Sequence, residues 1–222
     1  MQCFITSSGT NIGKTLVTTA LCWQLRQSGK TVTALKPVIT GYDPKDVQSD
    51  TALILESCGL PHSPAMAEAI SPWRFAAPLA PNMAAAQEEK PPVDLEALVA
   101  FCQEGRGDYT LVEGIGGVMS PINDRHTVLD WIGALGWPAI VMAGSYLGSI
   151  SHALTAVEVV RARNVPVCAV VVSASESGVL LEDVVATLEK FLLPAVPVVK
   201  IPRLAAKGDL WKHVPPISWI CT

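Results

Sequence analysis

The amino-acid sequence predicts an α/β fold, with a mostly parallel central sheet covered by helices on both faces. Three observations lead there. Short apolar runs alternate with longer helix-like segments along the 222 residues. The runs are continuous, as in Ala139-Ile140-Val141-Met142-Ala143, the signature of strands buried on both faces rather than on one. The chemically distinctive residues fall just after those runs, at the strand ends where such sheets bind ligands.

Composition agrees. Apolar residues make up 50% of the chain and charged residues only 16%, against about 25% in ordinary domains. That balance excludes disorder, which needs low hydrophobicity and high charge. A mean hydropathy of +0.36 raises the question of a membrane span. The longest apolar stretches, 134–144 and 165–172, are interrupted by Pro138 and Pro166 and are shorter than the ~20 residues a span requires. The apolar excess is therefore expected inside the protein or between subunits, and no membrane partner is expected.

In chain order, residues 3–6 read as a strand and 13–28 as a helix with Leu16, Val17, Ala20, Leu21 and Leu25 on its apolar positions. Residues 31–35 form a second strand. Segments 49–57 and 94–104 are helical, and 109–112 is a strand that ends at an acid. A strand at 138–143, a helix at 149–163, a strand at 165–172, a helix at 180–192 and a short strand at 196–201 complete the series. Strand–helix alternation with short links implies right-handed βαβ units, and one domain spanning 1–222 is expected. Residues 61–92, rich in Pro and Ala, read as an irregular excursion over the edge of the sheet.

The net charge of −4 and pI of about 5.5 argue against a nucleic-acid surface. The first residues carry neither the basic nor the long apolar stretch of a secretory signal, so a cytoplasmic location is expected. The six cysteines include no C-x-x-C pair, and the four histidines are scattered. No disulfide framework or Cys/His metal site is expected, in keeping with a reducing compartment.

Ser7-Ser8-Gly9-Thr10-Asn11-Ile12-Gly13-Lys14-Thr15 follows the first strand and opens the first long helix. Phosphate binding needs backbone N–H groups converging from a tight turn onto a helix N-terminus. Gly9 and Gly13 permit the turn, Lys14 reaches β- and γ-phosphates, and the Thr15 hydroxyl suits Mg²⁺. The usual G-x-x-x-x-G-K-[ST] pattern places glycine where Ser8 stands. With this loop in place, the predicted fold becomes the three-layer P-loop NTPase type.

Other strand ends carry matching charges. Lys36, in Leu35-Lys36-Pro37-Val38-Ile39-Thr40-Gly41, would neutralise phosphoryl charge at the ligand edge. Glu113, followed by Gly114-Ile115-Gly116-Gly117, suits Mg²⁺ directly or through water, and the glycines admit a ligand close to the backbone. Asp50 could be a second metal carboxylate, although an acid at a helix start is also favoured by the helix dipole alone. Asp130, in a D-x-x-G string, follows no strand and reads as a helical residue of no diagnostic value. The link 144–152 offers free N–H groups at a helix start, a possible carboxylate site. His152 within it reads as a packed, hydrogen-bonded histidine.

Together these segments resemble the dethiobiotin synthetase family. The family's G-T-D-T-x-V-G-K-T loop is Ser7–Thr15 here, with Thr10, Gly13, Lys14 and Thr15 matching. Its K-P-V-x-S-G is Lys36 to Gly41, its helix-starting S-D is Ser49-Asp50, and its V-E-G-A-G-G is Val112 to Gly117. Its L-G-x-I-N-H-A is Leu147 to Ala153, and its late I-P-x-L is Ile201-Pro202-Arg203-Leu204. The motifs keep the family's order over nearly the whole chain. Three positions depart from it: Ser7 replaces the first loop glycine, Ser151 replaces an Asn, and Ser173-Ala174-Ser175 lacks an adenine-side Asn.

The resemblance implies ATP-dependent ring closure of 7,8-diaminopelargonate with CO₂ to dethiobiotin, through a carbamate and a carbamic–phosphoric anhydride. It implies ATP held by Gly9, Thr10, Asn11, Ile12, Gly13, Lys14, Thr15, Pro202, Arg203 and Leu204. Catalytic roles fall to Lys36, Lys14 and Thr10, and Mg²⁺ to Thr15, Asp50 and Glu113. The diamine is assigned to Lys36, Thr40, Glu113, Gly116 and Gly117, and its carboxylate to Leu147, Gly148 and Ser151 of the second subunit of a homodimer. Replacing Lys14 or Lys36 by Ala is expected to cost orders of magnitude in rate without unfolding the chain. The alternative is a ParA/MinD-like ATPase switch. Such switches place an extra Lys near the start of the phosphate loop, where this chain has Ser7-Ser8-Gly9.

Overall fold

A computed structural model describes residues 1–176, 178–205 and 208–221. Six strands form the main sheet: β1 (Gln2–Ser7), β2 (Val32–Leu35), β5 (Tyr109–Glu113), β6 (Ala139–Gly144), β7 (Val167–Ser173) and β8 (Val198–Ile201), in the order β2-β5-β1-β6-β7-β8. Every pairing between them is parallel. From β1 the chain steps one way to β2 and β5, and then the other way to β6, β7 and β8. Right-handed crossovers running in opposite directions put their helices on opposite faces. Thus α1 (Lys14–Gln27) covers one face, and α7 (Ser149–Ala162) and α8 (Leu181–Leu192) the other. All six residues of β6 are buried, as are five of the six in β1, and double coverage explains why these strands read as unbroken apolar runs. The Phe4 and Trp131 rings meet edge to face at 4.8 Å within the same core.

Short helices fill the connections: α2 (Asp50–Ser57), α3 (Pro64–Ile70), α4 (Pro81–Gln87), α5 (Leu95–Gln103) and α6 (Val128–Leu135). Ser49 caps α2 by accepting from the Ala52 N–H, Ser63 caps α3, and Asp94 caps α5. Asp130 is helical, as expected. It completes a capping box with Thr127 at the start of α6 and pairs with Arg163 at 2.8 Å.

The structure revises the reading of residues 61–92. The segment is ordered: α3 and α4 each begin at a proline, which suits the first helical turn because its N–H has no partner there. Between them β4 (Trp73–Phe75) pairs in parallel with β3 (Val38–Thr40) as a separate two-stranded sheet. Lys36 thus lies between β2 and β3 and is buried at 2% exposure. Among the described residues, no helix is long and apolar enough to cross a membrane.

Parallel pairing puts all carboxyl ends on one edge. Register then decides which residues meet there. Ile5 pairs with Glu113, and Leu35 with Val112, so Lys36 emerges beside Glu113. Ser7 pairs with Met142, and Gly144 with Ser173.

Candidate active site

The loop from Ser8 to Gly13 turns the chain from β1 into α1. Gly13 takes φ +91° as the N-cap and Asn11 takes φ +57°, a left-handed conformation that favours Gly and tolerates Asn. No side chain caps α1, so its first N–H groups remain open to an anion. The loop leans on the Glu113–Gly117 turn. A Cβ on Gly117 would lie 3.2 Å from Gly9 N and Cα, and one on Gly116 would lie 2.1 Å from Ser120 Oγ. Gly117 therefore lets two backbones touch, and Gly116 makes room for the Ser120 side chain.

Lys14 folds back over this contact. Its Nζ donates to the Gly116 carbonyl at 2.8 Å, to Ser7 Oγ at 3.1 Å and to the Gly9 carbonyl at 3.4 Å. Burial lowers its pKa to about 8, with the Lys36 charge adding to that effect and Glu113 and Asp50 opposing it. Ser7 is fully buried, and its hydroxyl fills the space beside Lys14 Nζ. The departure from the family's glycine thus adds a polar partner for the lysine.

A second group of charges lies next to the first. Lys36 Nζ is 2.6 Å from Glu113 Oε1 and 2.9 Å from Asp50 Oδ2, and donates to the Gly114 carbonyl at 3.0 Å. Burial alone would lower its pKa, but the two carboxylates prevail and hold it above the ordinary lysine value. Asp50 opens α2. Its carboxyl is held below the usual range: burial pushes it up, and the Lys36 charge and the Thr15 hydrogen bond outweigh that. Thr15 Oγ1 stands 2.7 Å from Asp50 Oδ1 and 2.9 Å from Glu113 Oε1. Glu113 is fully buried, and among the described residues its Oε2 has no hydrogen-bond partner. A buried carboxylate oxygen without a partner, beside a second carboxylate and a hydroxyl, is a hard-oxygen donor set that fits Mg²⁺. Among the described residues, no three His, Cys, Asp or Glu side chains cluster as metal ligands; this donor set contains two carboxylates and a threonine.

Three cavities meet here. One of about 180 Å³ is lined by residues 10–15, Lys36, Ile39, Thr40, Asp50, Glu113, Ile115 and Gly116. A second, about 590 Å³, shares Thr10 to Gly13 and continues past Gly144, Tyr146, Ser173 to Glu176 and Arg203. A third, about 520 Å³, lies on the other side of the loop, between Ser8 to Thr10, Gly117 to Pro121 and His152. Thr10 borders all three.

The structure therefore gathers Gly9 to Thr15, Lys36, Thr40, Asp50, Glu113, Gly116 and Gly117 around one junction. Of Pro202, Arg203 and Leu204, Arg203 lines the second of these cavities, and it pairs with Glu176 at 2.5 Å. Ser175 is occupied structurally: its Oγ accepts from Ser145 N at 3.1 Å, and its N–H donates to Ser145 Oγ at 3.0 Å. Leu147, Gly148 and Ser151 line none of the three cavities within their own chain; they are exposed at the start of α7, Leu147 at 90%. His152 is exposed and hydrogen-bonded through Nδ1 to the Tyr146 hydroxyl at 3.0 Å. The motif reading missed Ile39, Ile115 and Tyr146. Each sits one or two residues beyond a strand end or within such a motif, which is the signal that could have found them.

Comparison with known proteins gives this geometry its context. The AAA domain family matches residues 1–206. The chain is 49% identical over 179 residues to the ATP-dependent dethiobiotin synthetase BioD of Methylobacterium nodulans, covering 77% of this chain and 79% of that one. It is 44% identical over 213 residues to the protein of the same name from Caulobacter sp. strain K31, covering 94% and 89%. Among solved structures it resembles the MinC:MinD cell division complex of Aquifex aeolicus, with TM-score 0.55, 16% identity, and 96% and 85% of the two chains covered. It also resembles the septum site-determining protein MinD of Pyrococcus horikoshii complexed with Mg-ADP, with TM-score 0.55, 16% identity, and 97% and 87% covered. At that identity the structural likeness establishes the fold alone, whereas identities of 44–49% over most of the chain establish kinship: the chain belongs to the ATP-dependent dethiobiotin synthetase family of ligases.

Proposed function

We propose that this enzyme closes the urea ring of dethiobiotin from 7,8-diaminopelargonate and CO₂ on a site built from the three cavities that meet at Thr10. That junction is the observation that carries the reading. ATP, required by the family, spans two cavities: its base lies toward Tyr146 and Arg203, and its phosphates lie over Gly9 to Thr15. The diamine enters from the third cavity and meets the γ-phosphate at Thr10.

Thr15, Asp50 and Glu113 would hold Mg²⁺, which would supply charge neutralisation for a transferring phosphoryl group. The chain's own residues do the rest. Lys14 leaves the Gly116 and Gly9 carbonyls for the phosphates. Lys36, already on the boundary between the carboxylates and the cavity, faces the carbamate oxygen that attacks phosphorus. Thr40, Gly116 and Gly117 line the path of the two amines. The second amine then displaces phosphate from the carbamic–phosphoric anhydride within one bound molecule, where effective molarities reach ~10⁵ M or more. No protein nucleophile is needed. The exposed Leu147, Gly148 and Ser151 serve a second copy: in a homodimer they receive the carboxylate of substrate held by the partner. The chain acts as one ligase domain over residues 1–222 and works in the cytoplasm.

Phosphate release tests this reading. Release is expected only when ATP, Mg²⁺, the diamine and bicarbonate are all present, with dethiobiotin formed in equal amount. Hydrolysis indifferent to the diamine and stimulated by DNA or lipid vesicles would overturn it in favour of a ParA/MinD-like switch.

A further inference from the structure

Sequence spacing pairs no two cysteines, yet the fold brings two together. Cys22 lies on α1, Cys58 caps the C-terminal end of α2, and their Sγ atoms are 3.1 Å apart. Cys22 is fully buried, while Cys58 is partly exposed and so open to a reagent. Cys22 follows Thr15 by seven residues, about two turns, which puts both on the face of α1 that meets α2. The two helices are joined at their starts by the Thr15–Asp50 contact at 2.7 Å, and near their ends by Arg26 Nη1 donating to the Ser57 carbonyl at 2.8 Å.

The two thiols are unequal. The hydrogen bond shared with Cys22 holds Cys58 below the ordinary thiol value, and the Arg26 charge helps. The same hydrogen bond, together with burial, pushes Cys22 up. Cys58, partly exposed where Cys22 is buried, is the sulfur a reagent meets first, and Cys22 is the one that follows it.

We propose that Cys22 and Cys58 form a thiol–disulfide modification site that fastens the helix carrying Asp50 to the helix carrying Lys14 and Thr15, closed by a small disulfide oxidant such as oxidised glutathione. The Cys58 thiolate attacks one sulfur of that disulfide, forming a mixed disulfide and releasing one glutathione thiolate. Cys22 gives up its proton and attacks the Cys58 sulfur, which releases the second. The two protein thiols become one disulfide, and the oxidant becomes two thiols.

The test exposes the full-length reduced chain to glutathione buffers of stepped redox ratio, then reads intact mass, peptide map and melting temperature. Expected are the loss of two hydrogens per chain, a Cys22–Cys58 linked peptide that dithiothreitol reverses, and a Tm raised by roughly 5–10 °C through closure of the intervening loop. Cys22→Ser should stop at glutathione bound to Cys58, and Cys58→Ser should form no link at either position. A wild-type chain whose Cys22 and Cys58 remain free in fully oxidised glutathione overturns the proposal. A link mapped instead between any other two cysteines overturns it as well.

Discussion

Replacing Lys36 by Met tests whether the charges at the sheet edge form one unit. Met keeps most of the side chain's length and apolar bulk and removes only the ammonium. Lys36 Nζ lies 2.6 Å from Glu113 Oε1, and both residues are essentially buried. At an effective dielectric of ~20 that contact is worth about 6 kcal/mol of Coulomb energy. Much of it only offsets the desolvation of the two charges, so removing one partner is expected to cost about 3–5 kcal/mol, the usual loss when a buried charge is left uncompensated. In a chain of this size that lowers Tm by roughly 10 °C. Urea unfolding should show a lower midpoint at unchanged slope. Glu113→Gln added to Lys36→Met should restore at least half the loss, because the uncompensated charge is then gone. The pH dependence has a defined sign. The pKa of Lys36 is raised, so its stabilisation is complete below the unfolded value of ~10.4 and is lost as pH rises through the folded value. The pKa of Asp50 is lowered, so its contribution is present above ~3.9 and is lost as pH falls through its folded value. The stability difference between wild type and Lys36→Met should therefore narrow at the alkaline end. A Lys36→Met chain within about 1 kcal/mol of wild type at neutral pH would refute the reasoning. Burial of this pair also amends the expectation that a Lys36 substitution costs rate alone; for Lys36, rate and stability fall together.

Two further outcomes are expected. Lys14 has a pKa lowered to about 8 in the free enzyme, and a bound triphosphate would raise it, so ATP binding at pH 8 and above should take up a proton. Calorimetry in buffers of different ionisation enthalpy measures that uptake, and a binding enthalpy independent of buffer would contradict it. Gly117→Ala places a methyl group 3.2 Å from Gly9 N and Cα, so the phosphate loop must shift. The Kd for ATP should rise at least ~10-fold, as a displaced anion cradle loses charge-assisted hydrogen bonds, while circular dichroism stays unchanged; wild-type affinity would show the loop contact to be dispensable.

What was legible in the sequence was local. The main strands are unbroken apolar runs and the phosphate loop is one contiguous string, so both were found within a residue or two of their bounds. Residues 61–92 carry no such signal because their elements are short. β3 and β4 span three residues each, too few for any periodicity to show. The signals that were present were Ser63-Pro64 and Ala80-Pro81, a proline at the first helical position in each case and a capping serine in the first.

The site divides along the same line. That Lys36, Asp50 and Glu113 belong to one edge follows from strand ends. That Lys36 sits between the two carboxylates follows only from register, because Leu35 must pair with Val112 for the ammonium to reach Glu113. The Cys22–Cys58 contact is more remote still, since it depends on how α1 and α2 cross, and no spacing along the chain encodes that. Ser7 shows a third kind of gap. It departs from a family glycine, and its side chain turns inward and takes Lys14 as a partner. A serine that hydrogen-bonds the phosphate-loop lysine in the free enzyme stabilises the state that nucleotide must displace. Ser7→Gly should therefore tighten ATP binding rather than weaken it, by no more than the ~10-fold that one hydrogen bond to a charged group accounts for. Weaker binding in that variant would mean that the hydroxyl supports the loop instead of competing for its lysine.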